Sequence, residues 1–108
     1  MIRVIDGKRY NTETAEQVVY WDNGHYAGDF KLRQKTLYRT AKGNWFIHHV
    51  GGALTDMAVT VGSNGYGGSS DIEPLTDQDA FAFLESRSDQ DDAREAIEKY
   101  FADQVEDA

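Results

Sequence analysis

Two runs of strand-forming residues, 30–40 and 44–50, flank Ala41-Lys42-Gly43, and this arrangement constrains the fold more than any other feature of the chain. A three-residue connection with a glycine free to take a left-handed conformation closes an antiparallel hairpin. In the first run Phe30, Leu32 and Tyr38 fall on one parity, while Lys31, Arg33, Lys35 and Arg39 fall on the other. Alternation with period two puts one set on each face of a strand. The pattern predicts a row of four cations on a solvent face. Leu37 breaks the alternation and is expected at a sheet edge or under the hairpin.

Other turn signals precede it. Asp6-Gly7 sits between residues 2–5 and 8–10 and predicts a tight hairpin. Residues 11–16 are polar and suit a turn capped by Asn11 or Thr12. Residues 17–21 are rich in strand formers, and Asn23-Gly24 is a second hairpin signal. Residues 53–61 fit either a helix face (Leu54, Met57, Ala58, Val61) or a strand ending in Val59-Thr60-Val61. Residues 62–70 hold four glycines and read as a surface loop with Tyr66 as its anchor.

Beyond Pro74, the single proline, the pattern turns helical. Thr76 with Asp79 resembles a capping box opening a helix that runs to about Arg87, with Ala80, Phe81, Phe83 and Leu84 inward. Ser88 or Asp89 is placed to cap a second helix. There Ala93, Ala96, Ile97, Tyr100, Phe101 and Val105 gather on one side, and Asp91, Asp92, Glu95, Glu98, Asp103 and Glu106 on the other. The expected fold is α+β, an antiparallel three- to four-stranded sheet packed on two C-terminal helices. One domain spans 1–108, with 1–70 mainly strands and turns and 71–108 two acidic amphipathic helices.

The net charge of −8 is unevenly placed. Residues 1–70 carry eight Lys/Arg against six Asp/Glu; residues 71–108 carry three against thirteen. A net acidic protein is repelled by phosphate backbones, so direct nucleic-acid binding is not expected. A strongly acidic half attracts a basic protein partner. Carboxylates at i, i+3 and i+4 on a helix lie about 5–6 Å apart, close to the spacing of phosphates along a strand, so the row can occupy a basic nucleic-acid groove. The same residues also serve solubility.

Other chemistry finds little footing. The absence of cysteine excludes disulfides, thiol catalysis and thiolate metal sites, and favours a cytoplasmic location. No signal-peptide core opens the sequence, and the longest apolar run, residues 80–84, is far short of a span, so no membrane role is expected. His48 and His49 are adjacent on a strand and point to opposite faces, so neither a metal nor another cofactor is expected there. Asp22 and Asp56 are the better-placed acid–base candidates, but no spacing pairs them. The glycine-rich run Gly62-Ser63-Asn64-Gly65-Tyr66-Gly67-Gly68 lacks the Lys-Ser/Thr of a phosphate loop and is followed by Asp71 and Glu73.

Several segments in order, Gly7-Lys8-Arg9-Tyr10-Asn11-Thr12-Glu13-Thr14-Ala15-Glu16, Leu37-Tyr38-Arg39-Thr40-Ala41-Lys42-Gly43-Asn44-Trp45-Phe46, Gly51-Gly52-Ala53 and Ile72-Glu73-Pro74-Leu75-Thr76, give the chain a likeness. It resembles a group of small bacterial proteins, mostly uncharacterised, carried on phages, plasmids and integrative elements. The resemblance implies a mobile-element setting, in which small acidic proteins inhibit host defence by contact, anti-CRISPR proteins among them. It supplies no catalytic residues. The leading expectation is a non-catalytic acidic inhibitor of a basic nucleic-acid-processing complex such as a CRISPR-Cas assembly. Its contacts are expected at Asp91, Asp92, Glu95, Glu98, Asp103, Glu106 and Tyr66. Two alternatives stay open: a small enzyme or ligand-binding domain using the Asp22, His25, His48 and His49 region, and a structural or homo-oligomerising module.

Overall fold

Asp-Gly, Lys-Gly and a stretch of poor strand formers shape the architecture seen in a computed structural model, which describes residues 1–63 and 65–108. Strands β1 (Ile2–Ile5) and β2 (Lys8–Asn11) pair around Asp6-Gly7, whose φ angles of 50° and 77° are those a two-residue hairpin demands. Strands β3 (Glu16–Asp22), β4 (Arg33–Arg39), β5 (Trp45–Gly51) and β8 (Ser69–Leu75) form one antiparallel sheet in the order β3-β4-β5-β8. A separate ribbon joins β6 (Val59–Val61) to β7 (Gly65–Gly67). Helices α1 (Asp77–Ser86) and α2 (Asp91–Tyr100) follow, then a short 3₁₀ turn, Ala102–Gln104. The chain is therefore α+β, with a four-stranded antiparallel sheet carrying two C-terminal helices.

The hairpin around Ala41-Lys42-Gly43 forms as the sequence predicts. Gly43 sits at φ 87°, and a Cβ there would meet Arg39 Nη2 at 3.0 Å. Asn23-Gly24 does not make a two-residue hairpin. The chain leaves β3 at Asp22 and returns only at Arg33, because Asp22, Asn23 and Asp29 side chains bond nearby backbone N–H groups and build a wider loop.

Both faces of the sheet are covered. Val19, Leu37, Trp45 and Ile47 pack against Ala80, Leu84, Ala93, Ala96, Ile97 and Phe101 of the helical layer. On the other face Phe46 and Ile72 pack under Tyr10, with Ile5, Ala15 and Tyr38 around them. The N-terminal hairpin thus covers the Tyr38 face of the sheet, which alternation assigned to the helices. A bulge between Gln17 and Val19 restores the inward parity of Val19 opposite Leu37.

The expected solvent-facing row of cations is overturned by this packing. Leu37 has no exposed surface and shares its parity with Arg33, Lys35 and Arg39, so all four lie on the helix-side face. Lys31 falls outside the strand. The tall apolar side chains of Leu37, Trp45 and Ile47 decide which face turns inward, and the cations are carried with them.

Strand β8 replaces the expected loop and the start of the expected helical half. Ser69, Ser70, Asp71, Glu73 and Pro74 have little strand propensity, yet all seven residues of β8 pair with β5. Pro74 is tolerated because β8 is an edge strand. Asp71 Oδ1 accepts the Ile72 N–H at 2.8 Å, and Pro74 has no N–H, so this edge offers few donors for further pairing. Residues 62–70 hold β6's turn, β7 and the start of β8; Asn64 of the glycine-rich run lies outside the described residues.

Thr76 caps α1 as expected, accepting the Asp79 N–H at 3.1 Å. Neither Ser88 nor Asp89 caps α2; Gln90 occupies the cap and makes no side-chain bond there. Helix α2 also ends at Tyr100, earlier than the apolar periodicity implies. Val105 consequently lies in an exposed tail, and Asp103 and Glu106 are not on the α2 face.

Candidate interaction surface

The cations of β4 are consumed within the fold. Arg33 is the clearest case, with a side chain only 10% exposed. Its Nε and Nη2 donate to both carboxylate oxygens of Asp56, at 2.6 and 3.3 Å, and its Nη1 donates to the Gln34 carbonyl at 2.8 Å. Nη2 also donates to His49 Nδ1 at 2.8 Å. A guanidinium cannot accept, so His49 carries its proton on Nε2, which donates to Glu73 Oε1 at 2.8 Å. The hydrogen bond from Arg33 holds the Asp56 carboxyl below its ordinary range, against a small opposing effect of desolvation.

The remaining inward cations stack on aromatic rings. The Arg39 guanidinium lies 4.7 Å from the Tyr100 ring centre and 5.6 Å from that of Trp45. Arg87 lies 4.6 Å from Trp21 and 4.9 Å from Phe83, and Lys35 approaches Trp21 from the neighbouring strand. These contacts tie the C-terminal end of α1 and the last residue of α2 to the sheet. They do not make a basic surface.

The region of Asp22, His25, His48 and His49 does not assemble. Asp22 Oδ1 accepts the Gly24 N–H at 2.8 Å, and His25 lies 3.4 Å from Asp29 within the same β3–β4 loop. His48 and His49 point to opposite faces, as alternation requires. Both are half-buried. Among the described residues His48 Nε2 is closed off from solvent without a partner, and burial, helped by the positive charge of the amino terminus, holds its pKa below the ordinary value. Both nitrogens of His49 are engaged, which leaves it no free lone pair to act as a base. Asp56, the other acid–base candidate, is clamped by Arg33. Among the described residues, no group of three or more His, Asp or Glu side chains is placed to hold a metal.

The acidic side chains have the opposite fate. Asp91, Asp92, Glu95, Glu98, Asp103 and Glu106 are all exposed. The two cations of α2 are occupied elsewhere or locally. Arg94 donates to the Ser88 carbonyl and pairs with Asp91, while Lys99 reaches across to Glu16 at 3.5 Å. Tyr100 hydroxyl, also on Glu16 at 2.9 Å, helps pin the end of α2 to β3. Among the described residues no cation pairs with Asp92, Glu95, Glu98, Asp103 or Glu106. Of the acidic set, Asp91, Asp92, Glu95 and Glu98 share α2, while Asp103 sits in the 3₁₀ turn and Glu106 in the tail.

Tyr66 is not part of that surface. It lies on β7, 72% exposed, beside a shallow cleft lined also by Phe30, Leu32 and Val50. This is the Arg33–Gly51 end of the sheet, whereas α2 packs near Glu16 and Arg39 at the other end of the strands, about 20 Å away along β4. Sequence reasoning also missed the Asp56–Arg33–His49–Glu73 chain. Its members come from three strands and a turn, and only the pairing of β4 with β5 and of β5 with β8 brings them together. No helix among the described residues is long and apolar enough to cross a membrane. No family model, curated protein or solved structure matches the chain.

Proposed function

We propose that this protein is a non-catalytic interaction protein that presents the carboxylates of α2 and the turn after it to a basic groove on a nucleic-acid-processing complex, and so inhibits it. Its concrete form is a cytoplasmic, mobile-element inhibitor of host defence of the anti-CRISPR type. The observation that supports this reading is the unequal use of charge. The β4 cations and Arg87 are spent on carboxylates and aromatic rings, whereas Asp92, Glu95, Glu98, Asp103 and Glu106 stand exposed outside any ion pair among the described residues. A field of one sign on one side of a small domain steers a positive partner and sets its orientation. Occupying a groove that otherwise takes phosphates would exclude nucleic acid from it without any chemical step.

The test compares the wild type with a triple variant, Asp91→Lys, Glu95→Lys and Glu98→Lys. Each is immobilised and challenged with nucleic-acid-processing complexes, CRISPR effectors included, and the retained complexes are assayed for DNA binding. The wild type is expected to retain a complex and suppress its DNA binding. Retention should fall at least about tenfold in the variant, and wild-type retention should weaken between about 50 and about 300 mM salt. Equal retention by both proteins, or a retained complex that still binds DNA, overturns the reading.

A further inference from the structure

Helices α1 and α2 leave a cleft of about 310 Å³ between them on the outer side of the helical layer. Phe81 and Ile97 form part of its wall, and Val105 closes it from the tail. Phe81 is held there by its contact with Phe101, ring centres 5.1 Å apart. Val105 arrives because α2 stops at Tyr100 and the 3₁₀ turn redirects the chain. Val105 is 44% exposed and Phe81 half-buried, while Ile97, buried in the core, shows only an edge at the floor of the cleft.

The rim of the cleft is charged. Glu85 of α1 and Glu98 of α2 line it from opposite helices, and neither side chain has an ion-pair or hydrogen-bond partner among the described residues. Arg94 also lines it, but its guanidinium is committed to the Ser88 carbonyl and to Asp91. An apolar trough about one side chain wide with two free carboxylates at its lip matches a long aliphatic stem ending in a cation. A planar guanidinium can also lie against an aromatic ring and donate to two carboxylates at once, which an ammonium does less well.

We propose that this cleft is the anchor point of the acidic surface, a socket for one arginine side chain of the basic partner. The proposal rests on the reading above and adds to it a specific contact. The arginine stem packs on Phe81, Ile97 and Val105, and its guanidinium meets Glu85 and Glu98. The free carboxylates along Asp92 and Glu95 steer the partner, while the socket fixes its register. Few residues carry most of an interface's energy, and buried arginines are common among them.

The probe is the blocked tripeptide acetyl-Gly-Arg-Gly-amide, compared with its citrulline counterpart, which is nearly the same shape and uncharged. Binding is followed by NMR on the methyl groups of Ile97 and Val105 and on backbone amides. The arginine peptide is expected to shift both methyl signals saturably in the millimolar range, with the citrulline peptide at least about tenfold weaker. Glu85→Gln with Glu98→Gln should reduce the arginine response to the citrulline level, while amides of the sheet confirm an unchanged fold. Asp92→Lys with Glu95→Lys, which leaves the Arg94–Asp91 pair in place, should leave the response largely unchanged. Equal responses to the two peptides, unmoved Ile97 and Val105 signals, or a response indifferent to the glutamine pair would each overturn the socket. A response lost only with Asp92→Lys and Glu95→Lys would reject the socket and leave the acidic-surface reading standing. A socket signal with no complex retained would do the reverse.

Discussion

Arg33 and Glu95 show how differently this molecule treats its two kinds of charge. Arg33 lies under the sheet's helix-side face with every guanidinium nitrogen engaged, while Glu95 stands in water and joins no ion pair among the described residues. The contrast extends across the chain. Cations on β4 and at the end of α1 hold elements together, whereas among the described residues the side chains of Glu85, Glu95 and Glu98 on the helices hold nothing. A buried or stacked cation adds little to the outer field, so the exposed helical layer is more negative than a uniform spread of the −8 net charge would make it. The difference follows from side-chain form. Arginine's long stem and flat, weakly hydrated head pack against rings and carbonyls, whereas a short, strongly hydrated carboxylate on a helix exterior gains little by leaving water.

Removing the structural cation gives the largest expected effect. Arg33→Met should leave half-buried His49 and the Gln34 carbonyl without their donor and lower the unfolding free energy by about 2 kcal/mol, measured by urea denaturation; Asp56, largely in water, adds little to the loss. An unchanged urea midpoint would place Arg33 with the idle surface charges and break the contrast.

A smaller effect concerns His48, on the opposite face. Burial disfavours its imidazolium, so its pKa in the fold lies below the unfolded value. The unfolded chain then binds more protons as pH falls below the ordinary histidine range. Stability from this group is complete above that range and is lost as pH drops through it toward the folded value. Wild-type protein should therefore lose stability from about pH 7.5 to about pH 5.5 more steeply than His48→Gln, with the two compared by urea melts at each pH. Parallel profiles would show that the unpartnered Nε2 carries no penalty.

The smallest effect is the most diagnostic for the helices. Glu95→Lys should change stability by no more than about 0.5 kcal/mol in the same assay, because the side chain holds nothing in the fold. A loss comparable to that of Arg33→Met would mean that the acidic face is structural, and the interaction reading would lose its basis.

The alternating and turn patterns were legible wherever neighbours in sequence decide the outcome. The Asp6-Gly7 and Gly43 turns, the strands on either side of them, the Thr76 cap and the apolar faces of α1 and α2 all rest on contacts within a few residues. Strand β8 was not legible, because Ser69, Ser70, Asp71 and Pro74 become a strand only through pairing with β5. The end of α2 at Tyr100 was equally hidden, since Asp103 and Val105 continue the helical periodicity on paper.

Composition and local pattern settled the α+β class, the acidic C-terminal half and the exposure of its carboxylates, because charge, turn chemistry and amphipathic period act at short range. Which face of β4 turns inward was decided only by the assembled layers. Leu37 and Arg33 share a parity, and a single strand cannot say whether apolar bulk or charge will prevail there. Helices on one side and the N-terminal hairpin on the other bury both faces, and the arginines find rings and carboxylates that no spacing in the chain announces. The cleft beside Glu85 and Glu98 likewise exists only because two helices and a redirected tail meet.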